Sequence, residues 1–175
     1  MKKFLVIAAL VLGATGVNAQ TDDDAATLTK VGQQSPVFEF NAEKQKTASI
    51  DSYKGKIVML NFFATWCPPC RMELPRVQKE IWDKYKDNPK FALMVFGREE
   101  GWDKVLPFKT ANNYTFNILP DEGRKVFGLF AKQSIPRNVI LDEEGKIIYQ
   151  STGYSEQEFN KLLALLDARL KKPQP

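Results

Sequence analysis

The chain has 175 residues, 43% of them apolar, 26% charged and 11% aromatic. Such values suit a globular domain and exclude a disordered chain, a collagen-like repeat and a coiled coil. With no histidine and two cysteines, Ser-His-Asp triads, histidine metal ligands and four-cysteine zinc sites are all excluded. The 25 basic and 21 acidic residues are too balanced and too dispersed to argue for nucleic acid.

Lys2 and Lys3 precede an apolar run, Phe4 to Ala14, which is shorter than the roughly 20 residues a bilayer requires. Small residues then lead to Val17-Asn18-Ala19. Residues 1–19 are therefore expected to be a secretory signal peptide, cut after Ala19. Removing it takes two lysines, leaving 23 basic against 21 acidic residues, or +2. No later stretch has the length and apolarity of a membrane span, and no cysteine near the cut offers a lipid anchor. The expected location is periplasmic or otherwise extracytoplasmic, without stable membrane insertion after cleavage. Residues 20–34 are polar and aperiodic, as in a flexible lead-in, and residues 35–172 read as one domain.

Pro36 to Phe40 reads as a strand, with Thr47 to Ile50 as its partner. Ile57 to Phe63 is almost wholly apolar without alternation, the pattern of a strand covered on both faces. A helix is expected from about Pro68 to Lys86, because Leu74, Val77, Ile81 and Tyr85 share one helical face. Pro68 and Pro69 suit its first turn, whereas Pro75 lacks the N–H that would reach the Arg71 carbonyl and should kink it. Phe91 to Phe96 is a second buried strand and completes a βαβ unit with parallel pairing. Helices are expected over Trp102 to Asn113 and Lys125 to Ala131. Asn138 to Leu141 and Lys146 to Gln150 form a hairpin about Asp142-Glu143-Glu144-Gly145. The last helix opens on the capping box Ser155…Glu158. The expected architecture is α/β, one sheet with helices on both faces.

Both cysteines lie in Trp66-Cys67-Pro68-Pro69-Cys70, where the most buried strand meets a helix N-terminus. Unpaired amides and the helix dipole at such a position favour a thiolate over a thiol. Cys70 lies one turn inward on the same face. It can pair with Cys67 or attack a mixed disulfide formed there, which makes Cys67 the nucleophile and Cys70 the resolving thiol. The two intervening prolines stiffen the turn. An inert bridge is the plainer reading, but a loop this short stabilises weakly. A zinc or copper site would need more ligands than two thiolates.

The run Phe62-Phe63-Ala64-Thr65-Trp66-Cys67-Pro68-Pro69-Cys70-Arg71-Met72-Glu73-Leu74-Pro75 resembles the active-site segment of the thioredoxin-fold thiol-disulfide oxidoreductases of the TlpA/ResA type. The likeness extends from about Gly32 to Leu170 and includes Ser134 to Asp142. It implies a thioredoxin fold, a mixed central sheet preceded by an extra strand pair. It also implies an enzyme without a cofactor that exchanges disulfides with protein thiols, more as a reductase than as an oxidase or isomerase, and is served by a membrane electron-donor protein. Pro136 matches the family's cis-proline, and Ile135 would offer backbone groups to an extended substrate. Trp66, Pro68, Pro69, Ile135 and Pro136 become the expected substrate surface, with Trp66 packed beside the dithiol. Glu73 matches an acidic residue close to the dithiol that could relay the proton of Cys70. In thioredoxins the position of Asn61 usually carries a buried aspartate. Asn61 cannot titrate, so Glu73 is expected to take that duty. A thiol peroxidase is the second enzyme class weighed, but Ala64 stands where its reactive-site threonine would be. A copper-delivery or partner-binding module lacks both histidine and the longer cysteine spacing. Arg98, Glu99 and Glu100, past the second buried strand, lie where parallel sheets often build sites, without an assigned role.

Overall fold

The computed structural model describes residues 25–44 and 46–171. Strands β1 (Glu39–Glu43) and β2 (Lys46–Ser49) pair as a small antiparallel sheet. The main sheet holds β3 (Ile57–Phe63), β4 (Phe91–Arg98), β5 (Ile118–Asp121), β6 (Arg137–Leu141) and β7 (Ile147–Thr152), in the order β5-β4-β3-β6-β7. Pairing is parallel from β3 through β4 to β5 and antiparallel from β3 through β6 to β7. This is the expected mixed sheet with an extra strand pair.

All seven residues of β3 are buried, and their alternation sorts them between two cores. Ile57, Met59 and Phe63 face a cluster that includes Leu74, Val77, Ile81, Phe159, Leu162 and Leu166. Val58, Leu60 and Phe62 face a second cluster built around Phe38, Phe40, Phe96, Phe127 and Phe130. Leu74 comes from α1 (Pro68–Arg76) and Val77 and Ile81 from the turn that follows it, while α2 (Trp102–Ala111) adds Val105 to the first cluster. Phe127 and Phe130 come from α3 (Phe127–Phe130), and Phe159, Leu162 and Leu166 from α4 (Glu156–Leu170).

The structure departs from the sequence reading in four places. The helix expected from Pro68 to Lys86, kinked at Pro75, is not α-helical throughout. Instead α1 runs directly into a π-helical turn, Val77–Trp82, and a last turn, Asp83–Tyr85, so the missing proline N–H is followed by wider hydrogen-bond spacing. Strand β5 was not foreseen, since four residues containing Pro120 show little pattern; at a sheet edge that proline is tolerated. The capping box forms by half. Ser155 Oγ accepts the Glu158 N–H at 3.2 Å, while the Glu158 carboxylate turns to Tyr149 Oη and Lys161 Nζ.

The fourth departure is the lead-in. Residues 25–34 are docked along the domain: Leu28 N–H donates to Phe130 O and Lys132 N–H to Ala26 O, both at 2.8 Å. Farther along, Gly32 N–H donates to Ile147 O at 2.8 Å and Ile147 N–H to Gln33 O at 2.9 Å. A polar stretch without periodicity can still be held by its backbone groups. The expected signal peptide, residues 1–19, lies outside the described residues. Among the described residues no helix is long and apolar enough to cross a membrane.

Candidate active site

Strand β3 delivers the chain to a turn closed by Cys67 N–H donating to Ala64 O at 3.1 Å. Cys67 is the N-cap of α1, with extended φ −84° and ψ 109°, and Pro68 and Pro69 take the first helical positions, where no amide is needed. Cys67 and Cys70 are joined as a disulfide, their Cα atoms 5.3 Å apart. Cys70 is fully buried and Cys67 keeps a 3% exposed edge. The Cys70 N–H points at Cys67 Sγ, 3.3 Å away, so an orphan amide of the first turn is spent on sulfur. An anion on Cys67 after reduction would receive that hydrogen bond together with the helix dipole.

The Ile135–Pro136 peptide bond is cis, as the resemblance implied, and Ile135 O lies 3.9 Å from Cys67 Sγ. Ser134, with φ 68°, turns the chain ahead of it. Arg137 Nε donates to the carbonyls of Gln133 and Ser134, and its Nη1 donates to Thr27 Oγ1 at 2.8 Å. The docked lead-in thus helps hold the loop that faces the disulfide. Pro68 is exposed, Pro69 and Ile135 are half-buried and Pro136 is buried. Trp66, expected beside the dithiol as part of the substrate surface, is 63% exposed. The Ala64–Cys67 turn puts it on the outside, with its ring centroid 6.0 Å from the Arg98 guanidinium.

Glu73 sits one helical turn beyond Cys70 and is 2% exposed. Its Oε2 accepts from Asn61 Nδ2 at 2.9 Å and its Oε1 from Asn138 Nδ2 at 2.6 Å. Asn61 Nδ2 also donates to Asn138 Oδ1 at 2.8 Å. Asn61 and Asn138 face each other in the β3–β6 register, which places both amides under α1. Burial pushes the Glu73 carboxyl up to about 7, and the hydrogen bonds from Asn138 and Asn61 only partly oppose it. A carboxyl tuned there can gain or lose a proton near neutral pH, which the neighbouring asparagines cannot do.

Asn138 and Glu100 are the two polar contributors that sequence reasoning left without a role. Asn138 offered a faint signal, a polar residue within a buried strand; its partner Asn61 is visible only once the register is known. Glu100 is buried and bound to Thr65 in the loop before Cys67.

Comparison with known proteins agrees with this geometry. Residues 31–150 match the model of the AhpC/TSA family. The Thioredoxin-like protein YneN of Bacillus subtilis is 34% identical over 84% of this chain and 88% of its own. The thiol-disulfide oxidoreductase ResA of Bacillus thuringiensis is 29% identical over 74% of this chain and 73% of its own. Among solved structures, a candidate protein disulfide isomerase from Bacteroides thetaiotaomicron superposes with a TM-score of 0.79 at 37% identity, covering 84% of this chain and 94% of that one. StoA from Bacillus subtilis gives a TM-score of 0.60 at 27% identity, over 74% of this chain and 96% of that one. The protein thus belongs to the AhpC/TSA family and is a thioredoxin-fold thiol-disulfide oxidoreductase with Cys67 and Cys70 as its redox pair.

Proposed function

We propose that the protein reduces disulfides of other proteins outside the cytoplasm. The Cys67 thiolate attacks a substrate disulfide, forming a mixed disulfide and releasing one substrate thiolate. Cys70 then attacks Cys67 Sγ, which restores the internal disulfide and releases the second thiolate. Two electrons pass to the substrate, and Glu73 takes the Cys70 proton as that thiol becomes a nucleophile. The observation that carries the reading is the pairing of a helix-capping Cys67, contacted by the Cys70 amide, with a buried carboxyl one turn further along α1. Ile135 and cis-Pro136 supply the backbone edge against which an extended substrate lies, flanked by Trp66, Pro68 and Pro69. The leader-like residues 1–19 support an extracytoplasmic site, and the resemblance supports a membrane donor that returns Cys67 and Cys70 to the dithiol.

A Cys70→Ser variant in the native host tests this reading. It should hold substrate proteins covalently on Cys67, while recovery of no specific adduct would remove the protein-disulfide substrate from the proposal. The 37% identity to a candidate disulfide isomerase favours isomerisation as the second reading. A reduction potential near about −270 mV goes with a reductase, whereas one near about −120 mV goes with an oxidant. Recovery of activity from scrambled ribonuclease, without net reduction, would favour the isomerase.

A further inference from the structure

Beyond the dithiol and Glu73, one buried carboxyl reaches the active-site loop from the turn that follows β4. Glu100 is 6% exposed, and both its oxygens accept from the Thr65 N–H, at 3.0 and 3.1 Å. Its Oε1 also accepts from Thr65 Oγ1 at 2.6 Å. Thr65 is an inner residue of the Ala64–Cys67 turn, so its amide is not used by that turn's own closing bond. A buried amide left without a partner is costly, and here a charge-assisted acceptor meets it.

The chain after β4 is shaped to deliver this carboxylate. Glu99 adopts φ 62°, a left-handed conformation uncommon outside glycine. Its N–H donates to Asp121 O at 3.0 Å, and Asp121 N–H donates to Glu100 O at 3.2 Å, so the segment is pinned on both sides of the turn. Gly97, beside it, makes room for Val105 of α2. A Cβ there would meet Val105 Cγ1 at 2.5 Å and Glu100 Oε2 at 3.4 Å. A left-handed turn and a backbone fixed on both sides therefore present one carboxylate to Thr65, the residue two before Cys67.

We propose that Glu100 is a positioning residue for the redox site, holding the Thr65 turn so that Cys67 meets the first amides of α1 and Trp66 faces outward. It touches neither sulfur and acts through Thr65. The inference rests on the reading of Cys67 as the attacking thiol, but its test uses Cys67 reactivity itself and needs no protein substrate.

The reduced protein is alkylated with iodoacetamide across pH 5 to 10, and modification at Cys67 is followed by mass spectrometry for wild type, Glu100→Ala, Glu100→Gln, Thr65→Val and Thr65→Ser. Loosening the N-cap should raise the pH midpoint of Cys67 in Glu100→Ala by about one unit, which is about a tenfold weaker ionisation of the thiol. Thr65→Val, which keeps the amide but loses the hydroxyl, should move the same way by less, and Thr65→Ser should behave as wild type. Glu100→Gln, retaining one acceptor oxygen, should fall between wild type and Glu100→Ala. A downward shift in Glu100→Ala and Glu100→Gln would overturn the proposal, because it would mean that Glu100 acts on the sulfur as a repelling charge rather than through the loop. Midpoints unchanged in both Glu100→Ala and Thr65→Val would overturn it as well. Should Glu100→Ala fail to fold, the Thr65→Val and Thr65→Ser pair decides the matter. Insulin reduction by wild type is measured alongside: its failure would count against the proposed function, while the alkylation midpoints still decide the role of Glu100.

Discussion

Consecutive residues of β3 enter two unlike environments. Phe62 turns to one face of the sheet, where its ring lies 5.6 Å from Phe96 and 5.5 Å from both Phe127 and Phe130. Asn61 turns to the other, where it binds Glu73 and Asn138 beneath α1. The first face is dominated by apolar contacts, whose value scales with buried area. The second buries a carboxyl and two amides, a costly arrangement unless each group is paired. In the described structure one acceptor there, Asn61 Oδ1, has no hydrogen-bond partner. Both faces hold an apolar cluster, but the one bearing the dithiol also gives up stability to bury an ionisable group. The period of two along β3 keeps these tasks apart.

The strongest way to break this division is to attack the aromatic face. Phe62→Ala removes a fully buried ring and should cost about 3–5 kcal/mol of unfolding free energy. Measured in urea, that loss should come without change in the Cys67 alkylation midpoint of the molecules still folded. A shifted midpoint would show that the two faces are coupled through β3.

Next in size is the pH dependence contributed by Glu73. Its carboxyl titrates near 7 in the folded protein against the ordinary 4.5. Between those values the folded state holds a proton that the unfolded state has lost, so stability falls as pH rises through this window and levels off above 7. The fall should be about 2–3 kcal/mol between pH 5 and 8. The absence of histidine leaves the oxidised protein with no other side chain that ordinarily titrates there. Glu73→Gln should abolish the slope. At pH 5 it should be less stable than wild type, since its amide nitrogen meets an asparagine donor where the hydroxyl oxygen of the protonated carboxyl can still accept. A slope that survives in Glu73→Gln would assign the titration to another group.

Asn138→Ala sharpens the same point at smaller cost. It removes the donor that most opposes the burial effect on Glu73. The break in the stability–pH curve should move above 7, with a loss of about 1–3 kcal/mol at pH 8, where the carboxylate most needs that bond. An unmoved break would mean that Asn61 alone holds the carboxylate.

What the amino-acid pattern revealed follows the same division. The apolar run Ile57–Phe63, the helix face from Leu74 to Tyr85 and the hairpin about Gly145 were readable, because burial imposes a period on sequence. The two cysteines were readable because their spacing at a strand–helix junction has few other uses, while cis-Pro136 required the family resemblance. The polar pairings were not readable. That Asn61 meets Asn138 depends on the β3–β6 register, and that Glu100 meets Thr65 depends on a left-handed turn at Glu99. The docking of residues 25–34 uses mainly backbone groups, which every residue carries alike.

The smallest effect on stability is expected at Trp66, which belongs to neither core. Mostly exposed and near the Arg98 guanidinium, it contributes a surface contact of about 0.5–1 kcal/mol at most, so Trp66→Ala should leave unfolding nearly unchanged. Exposed aromatic side chains cost little to order against a partner, which makes them frequent anchors of binding. The variant should therefore lower kcat/KM for a protein disulfide about tenfold while leaving reaction with a small aromatic disulfide within twofold of wild type. Equal losses on both substrates would place Trp66 with Glu100 and Thr65 in holding the Cys67 loop. A loss confined to the protein substrate would extend the division of β3 outward, to a surface residue that recognises substrate without bearing on the fold.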